Sequence, residues 1–279
     1  MILYNKIYLF FIFFVLCWNT GNAQNLFNAA NSEKFARYLL NTRQYELAAN
    51  EFERILSINP ADTTTFPNLM EAYRLGNICR TSFRNLEMLN VNRFFQNKDV
   101  AAEYLKLTLS CNYYRQEDYF TEALSVLDQP KQIFYHTGRF VFQEKTDSLI
   151  LFMNQNGKLL SQEYPSIYAT IAEIESYRRK KPALAAAMSA VIPGSGKAYT
   201  GYWGDAVMSL VFVSSNAWLS YKGFNKKGIN SANGWIFGSI SMGFYLGNIW
   251  GSGKAAKTYN RIEYEKLYHE AKGSFYNHF

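Results

Sequence analysis

The chain has little of what catalytic and metal centres are commonly built from. Its 279 residues include three histidines, His136, His269 and His278, and three cysteines, Cys17, Cys79 and Cys111. None is spaced with the others or with carboxylates as zinc ligands are. No Ser/His/Asp set or carboxylate pair stands out either, so the residues point away from hydrolysis, from an enzyme and from any cofactor. Glycine and proline are rare inside the apolar segments of 25–130, and no alternation there is long enough for a sheet. That excludes a β-rich fold and leaves helix after helix. Long apolar runs are also missing: the best, 206–221 and 234–250, fall just short of the roughly 20 residues of a perpendicular membrane span. What is abundant is aromatic, with 22 Phe and 21 Tyr, and basic, with a net charge of +7. Such a balance suits an anionic lipid surface or nucleic acid equally well.

The N-terminus separates these two. Lys6 supplies a positive start, Ile7 to Cys17 is almost unbroken apolar sequence, and Gly21-Asn22-Ala23 places small residues before a cleavage point. This reads as a secretory signal peptide over 1–24, cut after Ala23 or Gln24, the alternative being a retained anchor. An exported chain has no nucleic-acid partner. Cys17 would leave with the leader, and Cys79 and Cys111 could bridge in an oxidising compartment. Two cysteines without ligand spacing more often fill helix interfaces as small hydrophobes, which is the expectation here.

One stretch is specific. In FARYLLNTRQYELAANEFERILSINP, Tyr45, a small Ala48 where two helices would cross, Phe52 in the groove, the pair Ile55 and Leu56, and a terminating Pro60 fall at helical spacings. This resembles a tetratricopeptide repeat, although Ala36 and Leu39 stand where Gly and Tyr are usual. Leu69, Ala72, Tyr73 and Leu86 form a weaker unit, as do Tyr114, Phe120, Ala123 and Leu127. A repeat cannot bury its apolar face alone, so about three units over 25–178 are expected, with 132–177 completing or capping them. The resemblance implies a concave face that docks a protein partner. Arg37, Tyr38, Asn41, Arg43, Asn68, Tyr73, Arg74 and Tyr114 are the candidate contacts.

Arg178 to Lys181 before Pro182 mark a boundary, and a run of this kind beside an apolar tail suits lipid head groups. Extending the two apolar segments to Gly204 and Gly253 brings both into spanning range. Ser239, Gly243, Gly247, Gly251 and Ala255 then recur every four residues as one stripe of small side chains, which lets a second helix approach closely. Asn216 and Asn248 are expected to hydrogen-bond to each other inside it. Signal peptide and positive-inside rule conflict over orientation.

Pro193, Gly194 and Gly196 ahead of Lys197 suggest a phosphate loop, but Val191 replaces a Gly and Ala198 the magnesium-binding Ser or Thr. A turn between helices is expected instead, with Tyr199 and Gly201 completing it. The stretches KKPALAAAMSAVIPGSGKAYTGYWGDA and FYLGNIWGSGKAAKTYN resemble an uncharacterised bacterial envelope family of Bacteroidota type, built on a Pro-Gly-x-Gly-x-x-Tyr-x-Gly turn. The resemblance covers about 180–260 and implies a helical, membrane-associated domain with no assigned activity.

The expected fold is all-α: a tetratricopeptide-like stack over 25–178, a Gly-rich membrane-associated hairpin over 179–260, and a basic, aromatic tail over 261–279. The expected function is an exported, non-enzymatic scaffold in the cell envelope, its repeats in the periplasm, with a protein partner and membrane lipid and no evident small-molecule substrate. The alternatives are a subunit of an envelope assembly or transport machine, and a nucleotide-binding enzyme using the turn at Lys197.

Overall fold

The computed structural model describes residues 28–279, and all regular structure among them is helical, with thirteen α-helices, two 3₁₀ segments and no strand. The leader expected over 1–24, with Cys17, lies outside the described residues. The chain divides into two compact units, Met1–Leu127 and Asp128–Phe279.

The first unit is made of α1 (Ala29–Asn41), α2 (Tyr45–Ile58), α3 (Thr65–Leu75), α4 (Cys79–Met88), α5 (Lys98–Ser110) and α6 (Glu117–Ser125). Local sequence sets the helix starts: the side chain of Asn28 accepts from the Asn31 N–H at 2.8 Å, and that of Asn97 from the Asp99 N–H at 2.9 Å. Each satisfies one of the donors that a helix N-terminus leaves open. Helix α1 packs on α2, α2 on α3, α3 on α5 and α5 on α6. The residues of the repeat-like pattern form the core, since Ala48, Phe52, Ile55, Leu56, Leu69, Ala72, Leu86, Phe120 and Ala123 are all buried.

The helix pairs turn in one way. Arg43, Asn77 and Asn112 are left-handed, and so is Glu144 between the first two helices of the second unit, with φ of 62°, 52°, 49° and 55°. At each, that residue's N–H reaches the carbonyl three residues back and the next N–H reaches the carbonyl five back. Arg43 and Gln44 bond Leu40 and Leu39 at 3.0 and 2.8 Å, and Glu144 and Lys145 bond Val141 and Phe140 at 3.1 and 2.9 Å. This is the double closure that satisfies the last carbonyls of a helix. The four turns recur at intervals of 34, 35 and 32 residues.

Cys79 opens α4 and Cys111 ends α5, and a disulfide joins them with Cα atoms 5.4 Å apart. The expectation of two unbridged cysteines is therefore corrected. Packing of α3 on α5 brings the start of α4 to the end of α5, a proximity that a separation of 32 residues does not reveal.

The second unit holds α7 (Gln129–Phe142), α8 (Thr146–Glu163), α9 (Pro165–Ser176), α10 (Pro182–Val191), α11 (Ser195–Tyr199), α12 (Trp203–Lys227) and α13 (Ala232–Tyr276). Prolines in the first turns of α7, α9 and α10 cost no helical hydrogen bond there. Helix α13 has 45 residues, about 67 Å at the α-helical rise, and α12, α10, α11, α9 and α7 all pack along it. The division expected at 178–179 falls inside this unit. There Asn260 of α13 clamps the linker, accepting from the Lys180 N–H at 2.8 Å and from the Tyr177 hydroxyl at 3.1 Å, and donating to the Lys180 carbonyl at 2.7 Å. The stretch 261–279 is mostly the end of α13, with Tyr268, Ala271 and Phe275 buried and Phe275 5.0 Å from the Phe134 ring. Burial pushes the Tyr268 phenol well above its ordinary pKa.

No described helix is long and apolar enough to cross a membrane, which corrects the expectation that the two extended segments reach spanning range. Length is not what fails, since α12 alone has 25 residues. Polar residues interrupt the apolar run: Ser214, Ser215, Asn216, Ser220 and Lys222 in α12, and Asn233, Ser239, Ser241 and Asn248 in α13.

Candidate functional site

The eight expected partner contacts do not form one surface. Arg37, Tyr38, Asn41 and Arg43 lie together, exposed, on α1 and its turn, Arg37 paired with Glu33 at 2.9 Å. Asn68 donates to the Thr64 carbonyl at 2.9 Å, and Arg74 pairs with Glu103 at 3.5 Å with little exposure. Tyr73 is buried and donates to the Glu53 carboxylate, which also accepts from Asn85 at 2.9 Å. Burial, and then that carboxylate, hold its phenol far above the ordinary range. Tyr73 thus joins α2, α3 and α4 and presents nothing to a partner. Tyr114 is half-buried, edge-on to Phe120 at 6.3 Å.

The second unit carries a different kind of surface. Val207, Met208, Leu210, Val211, Phe212, Trp218 and Leu219 of α12 are exposed, and so are Trp235, Ile236, Ile240, Met242, Phe244, Leu246 and Trp250 of α13. Trp203 and Trp250 are 68% and 72% exposed. Scattered apolar residues on a surface need no explanation, but this many large exposed side chains on two adjacent helices form an unusually apolar face, broken by the exposed Ser214, Ser215 and Ser239.

Small residues make this possible by closing the seam between α12 and α13. The Ser220 hydroxyl donates to the Gly234 carbonyl at 2.8 Å and that of Ser241 to the Val213 carbonyl at 3.0 Å. A Cβ on Gly223 would stand 2.7 Å from the Gly234 nitrogen. The side that packs within the chain is therefore Gly234, Ser241, Asn248, Ser252 and Ala256, all buried. On the expected stripe, Ser239, Gly243 and Gly247 face outward, with open space around both glycines, while Gly251 and Ala255 are half-covered. Asn216 donates to the Phe212 carbonyl at 2.7 Å, and the bond expected between it and Asn248 is not made.

The turn at Pro193 is a junction of three helices. Gly194 has φ 90° and a Cβ there would fall 2.1 Å from the Ala206 carbonyl oxygen, while one on Gly196 would fall 1.8 Å from that of Ala185. Gly201, at φ 86°, has open space around it. The Gly196 N–H donates to Ser189 Oγ at 2.9 Å, Ser189 and Ser252 share a 2.7 Å bond, and Ser252 donates to the Asn248 carbonyl at 2.8 Å. The N–H groups of Ser195, Lys197 and Ala198 also bond carbonyls of the chain, at 3.0 Å each. These four N–H groups are spent within the chain, which counts against the loop reading on geometry as well as on sequence. The Tyr199 hydroxyl accepts from the Lys181 N–H at 3.4 Å, and its ring lies under the Lys180 ammonium at 4.5 Å.

Lys197 points elsewhere. It lies across α13 with its Cε 3.8 Å from where a Gly251 Cβ would be, and its ammonium donates to Ser209 Oγ at 2.9 Å. Here α11, α12 and α13 enclose a cleft of about 290 Å³ lined by Lys197, Asp205, Met208, Ser209, Phe212, Gly243, Phe244, Gly247 and Asn248. Asn248 is 4% exposed, and neither atom of its amide has a hydrogen-bond partner. Such a group costs about 1–3 kcal/mol of desolvation without return. Asp205, exposed at the rim, makes no ion pair among the described residues. Sequence reasoning singled out Lys197, Gly243, Gly247 and Asn248 separately and missed Asp205 and Ser209. Only the register of three helices brings them to one place. No protein-family model, curated protein or solved structure matches the chain.

Proposed function

We propose that this is a non-enzymatic, exported envelope protein held at a membrane by its C-terminal hairpin and docking a protein partner through tetratricopeptide-like helix pairs. The observation that carries the reading is the number of large apolar side chains exposed on α12 and on the first half of α13. Leaving that area in water forgoes about 25 cal/mol per Å², and lipid or a partner's buried helices would recover it. Lys222, Lys226 and Lys227 at one end and Lys254 and Lys257 at the other offer cations to anionic head groups. Because no described helix is long and apolar enough to cross a membrane, the hairpin is read as lying in the interfacial layer. The disulfide suits an oxidising compartment. Identical helix-pair turns every 32 to 35 residues favour the repeat reading, with α7 and α8 as a fourth pair.

The test is flotation of the purified chain with vesicles of phosphatidylethanolamine and phosphatidylglycerol. The wild type should float, and Val211→Asn with Phe244→Asn should lower the floated fraction at least fivefold without loss of helical circular dichroism. A chain that stays behind, monodisperse without detergent, sinks the reading.

A second reading, a subunit whose tail packs on partner helices, is favoured by the open space at Gly243 and Gly247. Gly243→Leu with Gly247→Leu should then abolish co-purification of partners from envelopes and leave the first unit folded. Unchanged pull-downs count against it.

A further inference from the structure

The cleft at Lys197 holds polar chemistry that the surrounding apolar hairpin does not need. Among the described residues, its buried amide meets neither a donor nor an acceptor, and its ammonium has one acceptor, Ser209 Oγ. That hydroxyl gives its own proton to the Asp205 carbonyl at 2.7 Å, so Ser209 orients Lys197 and adds no donor. The lining of the cleft thus holds one cation, Lys197, one buried and unpaired amide, Asn248, and one exposed carboxylate, Asp205. Gly243 and Gly247 keep the space beside them open, since a side chain at either position would meet nothing and would project into it. Phe212 and Phe244, with ring centroids 5.4 Å apart, also line it.

We infer that this cleft binds a zwitterionic phosphodiester of the phosphoethanolamine kind, carried by a phospholipid head group or by a soluble glycerophosphodiester. A phosphodiester has one negative charge and two free oxygens, which match one ammonium and one amide N–H₂. A dianionic phosphate would leave a charge unpaired. The ligand's amine then meets the Asp205 carboxylate and the Asn248 Oδ1. Charge-assisted bonds of this kind are short and strong where water is partly excluded. The N–H groups of Ser195, Gly196, Lys197 and Ala198 take no part, because they are spent within the chain. The inference rests on the proposed membrane reading for the lipid source only.

The experiment is calorimetric titration of the full chain in detergent with dihexanoyl phosphatidylethanolamine, dihexanoyl phosphatidylglycerol, glycerophosphoethanolamine and inorganic phosphate. An ethanolamine ligand should bind at least tenfold tighter than phosphatidylglycerol or phosphate. Lys197→Gln and Asn248→Leu should each weaken it at least tenfold, and Asp205→Asn should erase the preference for ethanolamine over glycerol. Asn248→Leu should melt no lower than the wild type, because it removes an unsatisfied buried amide at similar volume, so loss of binding is not loss of fold. Equal binding of the soluble diester makes that the source, and binding of the lipid alone makes it the head group. Absence of binding to all four, or wild-type affinity in the three variants, overturns the inference. Vesicle flotation that persists without ligand discrimination sinks this site alone. Diester binding by a chain that does not float sinks the membrane reading alone.

Discussion

Gly196→Ala should open the junction of α10, α11 and α12, lowering the stability of the second unit by about 3 kcal/mol or more, as overpacking against an unyielding neighbour does. The new methyl would fall 1.8 Å from the Ala185 carbonyl oxygen, 2.6 Å from its carbon and 2.8 Å from Ser189 Oγ. The nearest two of these atoms are backbone, so no rotamer change relieves the contact, and α10 must leave α11. That displacement also breaks the chain of bonds from the Gly196 N–H through Ser189 and Ser252 to the Asn248 carbonyl. Two controls separate close packing from glycine content as such. Gly201→Ala, at φ 86° in open space, should cost only the left-handed strain, about 1–2 kcal/mol. Gly247→Ala, in a helix and also in open space, should be neutral or stabilising by up to about 1 kcal/mol. Urea unfolding followed by tryptophan fluorescence reads all three, since the five tryptophans include Trp203, Trp218, Trp235 and Trp250 of the hairpin. Equal midpoints for Gly196→Ala and Gly247→Ala would refute the packing argument.

Removal of the disulfide is the second large effect. Replacing Cys79 and Cys111 together by serine should lower the stability of the first unit by about 3.7 kcal/mol, the value for a closed loop of this size. Much of this comes from the unfolded chain, whose freedom the bridge restricts across 32 residues. Phe83, inside the loop, stacks on Tyr113 just beyond Cys111, with centroids 3.9 Å apart, and this contact should loosen with the bridge. Reductant should lower the wild-type midpoint to that of the double variant and leave the variant unchanged. A wild type indifferent to reductant would mean that the two thiols are not joined.

Much of the helical framework was legible because its signals are local. Ala48, Phe52, Ile55 and Leu56 fall at 3.6-residue spacing and are buried, and Asn28, Asn97, Pro130, Pro165 and Pro182 mark helix starts through bonds made within a turn or two. The repeated left-handed turn was half visible, in Asn77 and Asn112, which tolerate that conformation; Arg43 and Glu144 give no such cue.

What sequence determined by itself, then, was an all-helical chain with its core residues and with a glycine turn between short helices, since propensity, periodicity and capping act over a few residues. Tertiary structure alone decided which of two small-residue faces of α13 is used within the chain. Gly234, Ser241, Ser252 and Ala256 face α12 and α10, whereas Gly243 and Gly247 are left open. Both faces have the same chemistry, and choosing between them takes the rotation of one helix against its neighbours. The same holds for the cysteines and for Lys197, Asp205 and Asn248. Their proximity comes from helix packing across tens of residues, where hydrophobic pattern sets burial but not which side chains meet.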